Sequence, residues 1–206
     1  MQGLIVKMSS MGDIIHTLPA LTDAIAVMPA IKFDWLVEPA FAEIPRWHKA
    51  VQNVITIPLR EWRKHWLKSC MEGELKQFYS RLRNKKYDVI IDAQGLLKSS
   101  ALARLGRSKL YGGFAADSAR ESIASMFYNT KVSVPKELHA IERIRKLFAG
   151  VLHYSYSADS LDYGVDWSTF GNKQVAKPYL FFLHGTTWET KHWPEVYFFK
   201  YYCFHK

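Results

Sequence analysis

Residues 4–13 constrain this chain most tightly. Leu4, Ile5 and Val6 form a short apolar run that gives way to Lys7, Met8, Ser9, Ser10, Met11, Gly12 and Asp13. A helical pattern takes over from about Ile14, so the segment reads as the first strand, loop and helix of an open α/β sheet. Ligands of such sheets bind at the carboxyl ends of the strands, where this loop must lie. Helix starts carry unpaired N–H groups and partial positive charge, which makes Ser9, Ser10 and Gly12 candidate holders of an oxyanion. Asp13 admits two readings: a helix cap, or a general base at the mouth of a substrate cleft.

The remainder repeats the scheme. Apolar residues at Ile14, Leu18, Leu21, Ile25 and Met28 predict a helix over 14–27, with Pro19 tolerable only in its early turns. Lys32–Val37 alternates as a second strand, Pro39–His48 reads as a short helix, and Val54–Pro58 as a third strand. Tyr87–Asp92 gives the clearest strand signal, with three adjacent apolar residues fit for burial on both faces. It runs into Ala93, Gln94 and Gly95 and a helix from about Leu96. Strands at 109–113 and 131–134 follow, then a strongly periodic helix over 138–151. This alternation over residues 1–154 predicts a doubly wound, parallel Rossmann-like sheet.

From 155 to 178 the pattern dissolves into Ser, Asp, Gly, Asn and Lys, as in a linker. At 179–206 it restarts with an apolar strand (Tyr179–Leu183) and the loop His184, Gly185, Thr186, Thr187, then stops within a run of aromatics. A segment of fewer than about 40 residues rarely folds alone. The expectation is therefore a second Rossmann-like unit cut short, in a chain lacking its C-terminal half.

The net charge of +9 and pI near 9.5 call for anionic partners, whether nucleic acid, an acidic membrane or phosphorylated sugars. No window approaches the roughly 18 apolar residues of a membrane span, and the first residues do not follow a signal-peptide pattern. The expected location is the cytoplasm or the cytoplasmic face of a membrane. Cys70 and Cys203 lack CxxC partners, so neither a metal site nor a disulfide framework is expected.

The most basic stretch holds Arg60, Arg63, Lys64, His65 and Lys68, interleaved with Trp62 and Trp66. On a helix the cations at 60, 64 and 68 share one side, and the indoles lie roughly 200° further round. Two readings stand. One is a solvated cationic face with tryptophans packed on the core. The other is a clamp for phosphates or carboxylates beside a surface that rests on a membrane, with Arg120 joining it.

These motifs resemble a known family. Lys7-Met-Ser-Ser-Met-Gly-Asp13 followed by His16-Thr-Leu-Pro-Ala20 is similar to the N-terminal signature of the ADP-heptose:lipopolysaccharide heptosyltransferases of glycosyltransferase family 9. The likeness continues through Phe33-Asp-Trp35, Arg63-Lys64, Tyr87-Asp88, Asp92-Ala-Gln-Gly95, and His184-Gly-Thr-Thr187 with Lys191 and Trp193-Pro194. It implies a GT-B fold, with an acceptor-binding domain at 1–154 and the start of an ADP-heptose-binding domain at 179–206. It also implies transfer of L-glycero-D-manno-heptose, with inversion, to the inner-core Kdo of Kdo-lipid A at the cytoplasmic face of the inner membrane, by a monomer.

On that resemblance Asp13 is the base that deprotonates the attacking Kdo hydroxyl. Thr186, Thr187 and Lys191 hold the donor diphosphate as charge builds on the leaving ADP. Ser10, Gly12, Arg60, Arg63, Lys64 and Arg120 engage the anionic acceptor. No Asp-x-Asp pair occurs, in keeping with a family that needs neither metal nor cofactor. Glu61 departs from an all-cationic clamp. Most of the family's nucleotide contacts lie in the C-terminal domain, so the alternative expectation is an inactive remnant that keeps only acceptor binding. Two other classes fit less well. A nucleic-acid module would explain the Trp-interleaved cations, but no RRM, KH or zinc-finger signature is present. A dehydrogenase would need a G-x-G-x-x-G after the first strand, where residues 7–13 hold one glycine.

Overall fold

A computed structural model of the chain describes residues 1–64, 73–170, 192, 194, 196 and 197. The chain divides into two compact units, Met1–Thr169 and Phe170–Lys206. The strand expected at Tyr179–Leu183, the loop after it with Thr186 and Thr187, and Lys191 lie outside the described residues, as do Cys70, Cys203 and Trp66.

The first unit is an α/β layer structure around one six-stranded sheet. Its elements run β1 (Gln2–Val6), α1 (Met11–Ile15), α2 (Leu18–Val27), β2 (Lys32–Val37), β3 (Val51–Thr56), α3 (Leu59–Lys64), α4 (Glu74–Arg83), β4 (Val89–Asp92), α5 (Leu97–Leu105), β5 (Leu110–Phe114), β6 (Thr130–Val132) and α6 (Ala140–Leu152). Every strand pair is parallel, in the order β3-β2-β1-β4-β5-β6. That is the doubly wound Rossmann order, whose topological switch lies between β1 and β4.

Side chains alternating along the strands feed two cores. Ile5, Phe33, Trp35, Val37, Val89 and Ile91 face α2 and α6, joined by Leu18, Leu21, Ile144, Leu147 and Phe148. Leu4, Val6, Leu36 and Ile90 face the other way, against Trp62, Phe78, Leu82 and Ala103 of α3, α4 and α5. Lys32–Val37 was expected to alternate between buried and exposed residues. Instead Phe33 to Val37 are all buried, because β2 has sheet on both sides and helices on both faces.

Three local expectations change. The helix expected over 14–27 starts at Met11 and is interrupted at His16–Thr17. Pro19 cannot donate into a helix interior, so it sits in the first turn of a separate α2. Residues 39–48 form two 3₁₀ turns, Pro39–Phe41 and Ile44–Trp47, each with Pro near its start, rather than one helix. Residues 155–169, expected as linker, belong to the first unit. The buried Arg145 explains this: its guanidinium is held by Asp23 at 2.7 and 3.0 Å and donates to the carbonyls of Ser157 and Ser160, each at 2.7 Å. The amide of Asp166 donates to the Trp47 carbonyl at 2.8 Å.

Candidate active site

A cleft of about 470 Å³ opens at the carboxyl ends of β1, β4 and β5, at the topological switch. Its wall brings together Lys7, Asp13, His16, Arg120, Lys136 and Arg143. Among the described residues, four cations thus share the cleft with one carboxylate. Lys7 leaves the end of β1, Arg120 lies in the connection after β5, Lys136 precedes α6, and Arg143 projects from it.

Asp13 both caps a helix and stands on the cleft wall. Its Oδ2 accepts from the Ser10 amide at 3.0 Å and the Ser10 hydroxyl at 2.8 Å, so the carboxylate caps α1. Its Oδ1 lies 3.6 Å from Lys7 Nζ, and the side chain is 38% exposed on the cleft wall. Burial alone would push this carboxyl up. The Lys7 ammonium and the Ser10 donors outweigh it and hold Asp13 below the usual carboxylate range, so it is ionised at neutral pH.

Lys7 is nearly buried and donates to the Ala93 carbonyl at 3.1 Å. Burial lowers its affinity for a proton, and the carboxylates of Asp13 and Asp92 partly restore it. The loop behind it is fixed from β4. Gln94 Oε1 accepts the amides of Met8 at 3.1 Å and Ser9 at 3.4 Å. Gln94 is itself set by Asp92, whose Oδ1 accepts the amides of Gln94 at 2.8 Å and Gly95 at 3.2 Å. The other Asp92 oxygen accepts from Tyr128 at 2.6 Å and Ser99 at 2.7 Å. Gly95 turns the chain at φ 69°, a left-handed conformation that favours glycine.

The expected oxyanion holders look different in three dimensions. The amides of Ser9 and Ser10 are committed to Gln94 and Asp13, and α1 is only five residues long. Ser10 therefore orients Asp13, while Gly12 lies within α1 and its carbonyl accepts the His16 amide at 2.8 Å. Arg120 is in the cleft. Arg60, Arg63 and Lys64 are carried on α3, which follows β3 at the same end of the sheet, but their side chains lie outside the described residues. Trp62 follows the structural reading. Its indole is buried edge-on against Phe78 and donates to Glu74 at 2.8 Å, so it offers no membrane surface.

Sequence reasoning missed Lys136 and Arg143. Arg143 stacks over Phe114 at 5.1 Å and donates to the Ser118 carbonyl, while its buried Nε has no partner among the described residues. A cation between the apolar positions 141, 144 and 147 was the available signal, and only the fold shows that it points into this cleft. His16, one turn beyond Asp13, pairs with the His139 ring at 5.6 Å.

The chain matches the profile of glycosyltransferase family 9 (heptosyltransferase) over residues 75–201. It is 51% identical over 197 residues to the Pseudomonas aeruginosa lipopolysaccharide heptosyltransferase 1, covering 96% of this chain and 56% of that protein. The structure of E. coli heptosyltransferase WaaC with ADP superposes with a TM-score of 0.89 at 49% identity, covering 95% of this chain and 62% of that one. The same enzyme with ADP-2-deoxy-2-fluoro heptose gives 0.90 over the same shares. The chain thus spans roughly three fifths of the length of these relatives. The E. coli ADP-heptose lps heptosyltransferase II, at 19% identity and a TM-score of 0.56, shares the fold. The chain belongs to glycosyltransferase family 9, the heptosyltransferases.

Proposed function

We propose that this chain serves heptose transfer from ADP-heptose to the Kdo of an inner-core lipopolysaccharide acceptor, with residues 1–169 supplying the acceptor side. The observation that carries the reading is the ionised Asp13 in a cleft whose other charged groups are Lys7, Arg120, Lys136 and Arg143. An acceptor sugar bearing a carboxylate supplies the missing anion, and the four cations offset its charge. Asp13 Oδ1 then takes the proton from the attacking hydroxyl as the sugar–phosphate bond breaks and ADP leaves. A single displacement of this kind inverts the anomeric centre. A carboxylate held below its ordinary range is a weak base, so it acts late, as the hydroxyl acidifies on attack. The relatives solved with ADP and a heptose analogue support the donor class. Thr186, Thr187 and Lys191 are the proposed diphosphate contacts, by their place in the motif alone. A lipid-anchored acceptor would draw the chain to the cytoplasmic membrane surface, with no membrane-spanning helix among the described residues.

The test is heptose transfer from ADP-heptose to Kdo-lipid A by the 206-residue chain, with Asp13→Ala alongside. Turnover abolished by Asp13→Ala is expected. Acceptor binding without turnover would confine the chain's role to acceptor binding, and absence of both would overturn the reading.

A further inference from the structure

We infer a second anion site, for a small phosphate-bearing molecule, at the opposite end of the sheet from the cleft. A groove of about 340 Å³ lies there, lined by Arg83, Lys86, Arg104, Arg107, Lys109 and the ring of Tyr111 among its residues. Arg83 and Arg104 close α4 and α5, and Lys86, Arg107 and Lys109 lie in the connections that lead into β4 and β5. All five therefore stand at the amino ends of those strands, about 15 Å from the carboxyl ends at ~3.3 Å per residue.

None of the described lining residues is acidic. Asp88, which follows closely in sequence, turns its carboxylate to the Gln2 amide at 2.7 Å. Five like charges round one recess repel each other, and an anion seated among them offsets that cost. The recess is also built. The Arg104 guanidinium stacks on the Tyr111 ring at 4.2 Å. That ring is locked by its hydroxyl, which donates to the Gly106 carbonyl at 3.0 Å and accepts the Ser108 amide at 3.3 Å. Arg83 stacks on Tyr79 at 5.1 Å, and a parallel bridge ties Lys86 to Arg107. Guanidinium groups resting over aromatic rings at the wall of a recess suit phosphate oxygens in paired hydrogen bonds. Concavity separates this site from a lipid surface, which a flat or convex basic face fits better. No cleft residue takes part, so the inference stands apart from the reading of Asp13.

The experiment titrates inorganic pyrophosphate into the 206-residue chain while backbone amide resonances are followed, in wild type, Arg120→Ala and Arg107→Glu/Lys109→Glu. The expected result is saturable shifts at Lys86, Arg107 and Lys109 that persist in Arg120→Ala and weaken at least about tenfold in the double variant. Arg104→Lys, which keeps the charge but loses the stacked fork, is expected to weaken binding severalfold and guards against misfolding of the double variant. Shifts confined to the cleft and lost in Arg120→Ala would overturn the site. So would its amides staying unmoved by pyrophosphate while phosphatidylglycerol vesicles bind the wild type and not the double variant.

Discussion

Asp13, beyond the carboxyl end of β1, and Asp34, in the amino-terminal half of the neighbouring β2, show two ways of partnering a carboxylate. Asp34, near the amino end of β2, is 3% exposed and surrounded by donors from this chain: Asn53 at 2.8 Å, Tyr87 at 2.9 Å, Lys85 at 3.0 Å and Gln2 at 3.3 Å. Asp13, beyond the carboxyl end of β1, has one oxygen capped by Ser10 and the other turned to the cleft beside Lys7. The first arrangement is closed and serves the fold. The second leaves cationic capacity over, which a ligand can use. A charged motif residue therefore carries no function by type alone; what matters is whether the protein has already satisfied it.

The largest expected effect breaks this contrast at its functional end. Asp13→Asn should lower heptose transfer about 10²- to 10⁴-fold, the usual worth of a general base, while changing the unfolding free energy by no more than about 1 kcal/mol. Turnover assays and urea melts on the same preparation check both. At the other end, Asp34→Ala should destabilise by roughly 3 kcal/mol, since it strands Lys85, Tyr87 and Asn53 donors, with acceptor affinity per folded molecule unchanged.

A third prediction concerns pH. The His48 imidazole is fully buried, accepts the Ala50 amide at 3.1 Å and faces Thr22 at 3.0 Å; burial, with Lys49 and Lys32 nearby and Asp162 opposing, lowers its pKa to about 4. The unfolded chain binds this proton near pH 6.5, so the unfolded state holds more protons between about 4 and 6.5 and stability rises with pH across that window. The loss on acidification should reach roughly 3 kcal/mol by pH 4, read from urea midpoints. The smallest effect sharpens the comparison. Ser10→Ala should cost about 0.5–1 kcal/mol of stability and move the Asp13 carboxyl back up toward its ordinary range, followed by carbon NMR of the carboxylate.

Much of the scaffold was legible in the sequence because strand and helix periods are local. Val89–Asp92 and Ala140–Leu152 fall within two residues of expectation, and the loop after β1 does lie at the sheet's carboxyl end. α4 was not foreseen: only Phe78 and Leu82 of its ten residues are buried, and its other apolar residues, Leu75 and Tyr79, are exposed among polar ones. At the site, Asp13 and Arg120 were foreseen, but Lys136 and Arg143 were not. They reach the cleft from the far side of β5 and β6, and no spacing within the sequence encodes that meeting. The saturation of Asp34 was hidden for the same reason: its donors come from 19 to 53 residues away.

The position of β1 also bears on how the chain acquires its site during synthesis. β1 pairs with β2 some 30 residues later, but its other edge waits for β4, and the amide of Met8 finds Gln94 only across 86 residues. Until that segment has emerged, the loop bearing Asp13 has no anchor on that side. Long-range parallel pairing of this kind is slow, because a large loop must close before any contact rewards it. A ribosome paused before residue 94 would therefore hold a nascent chain with its first pair of parallel strands exposed on one edge, open to capture by a chaperone or another nascent chain.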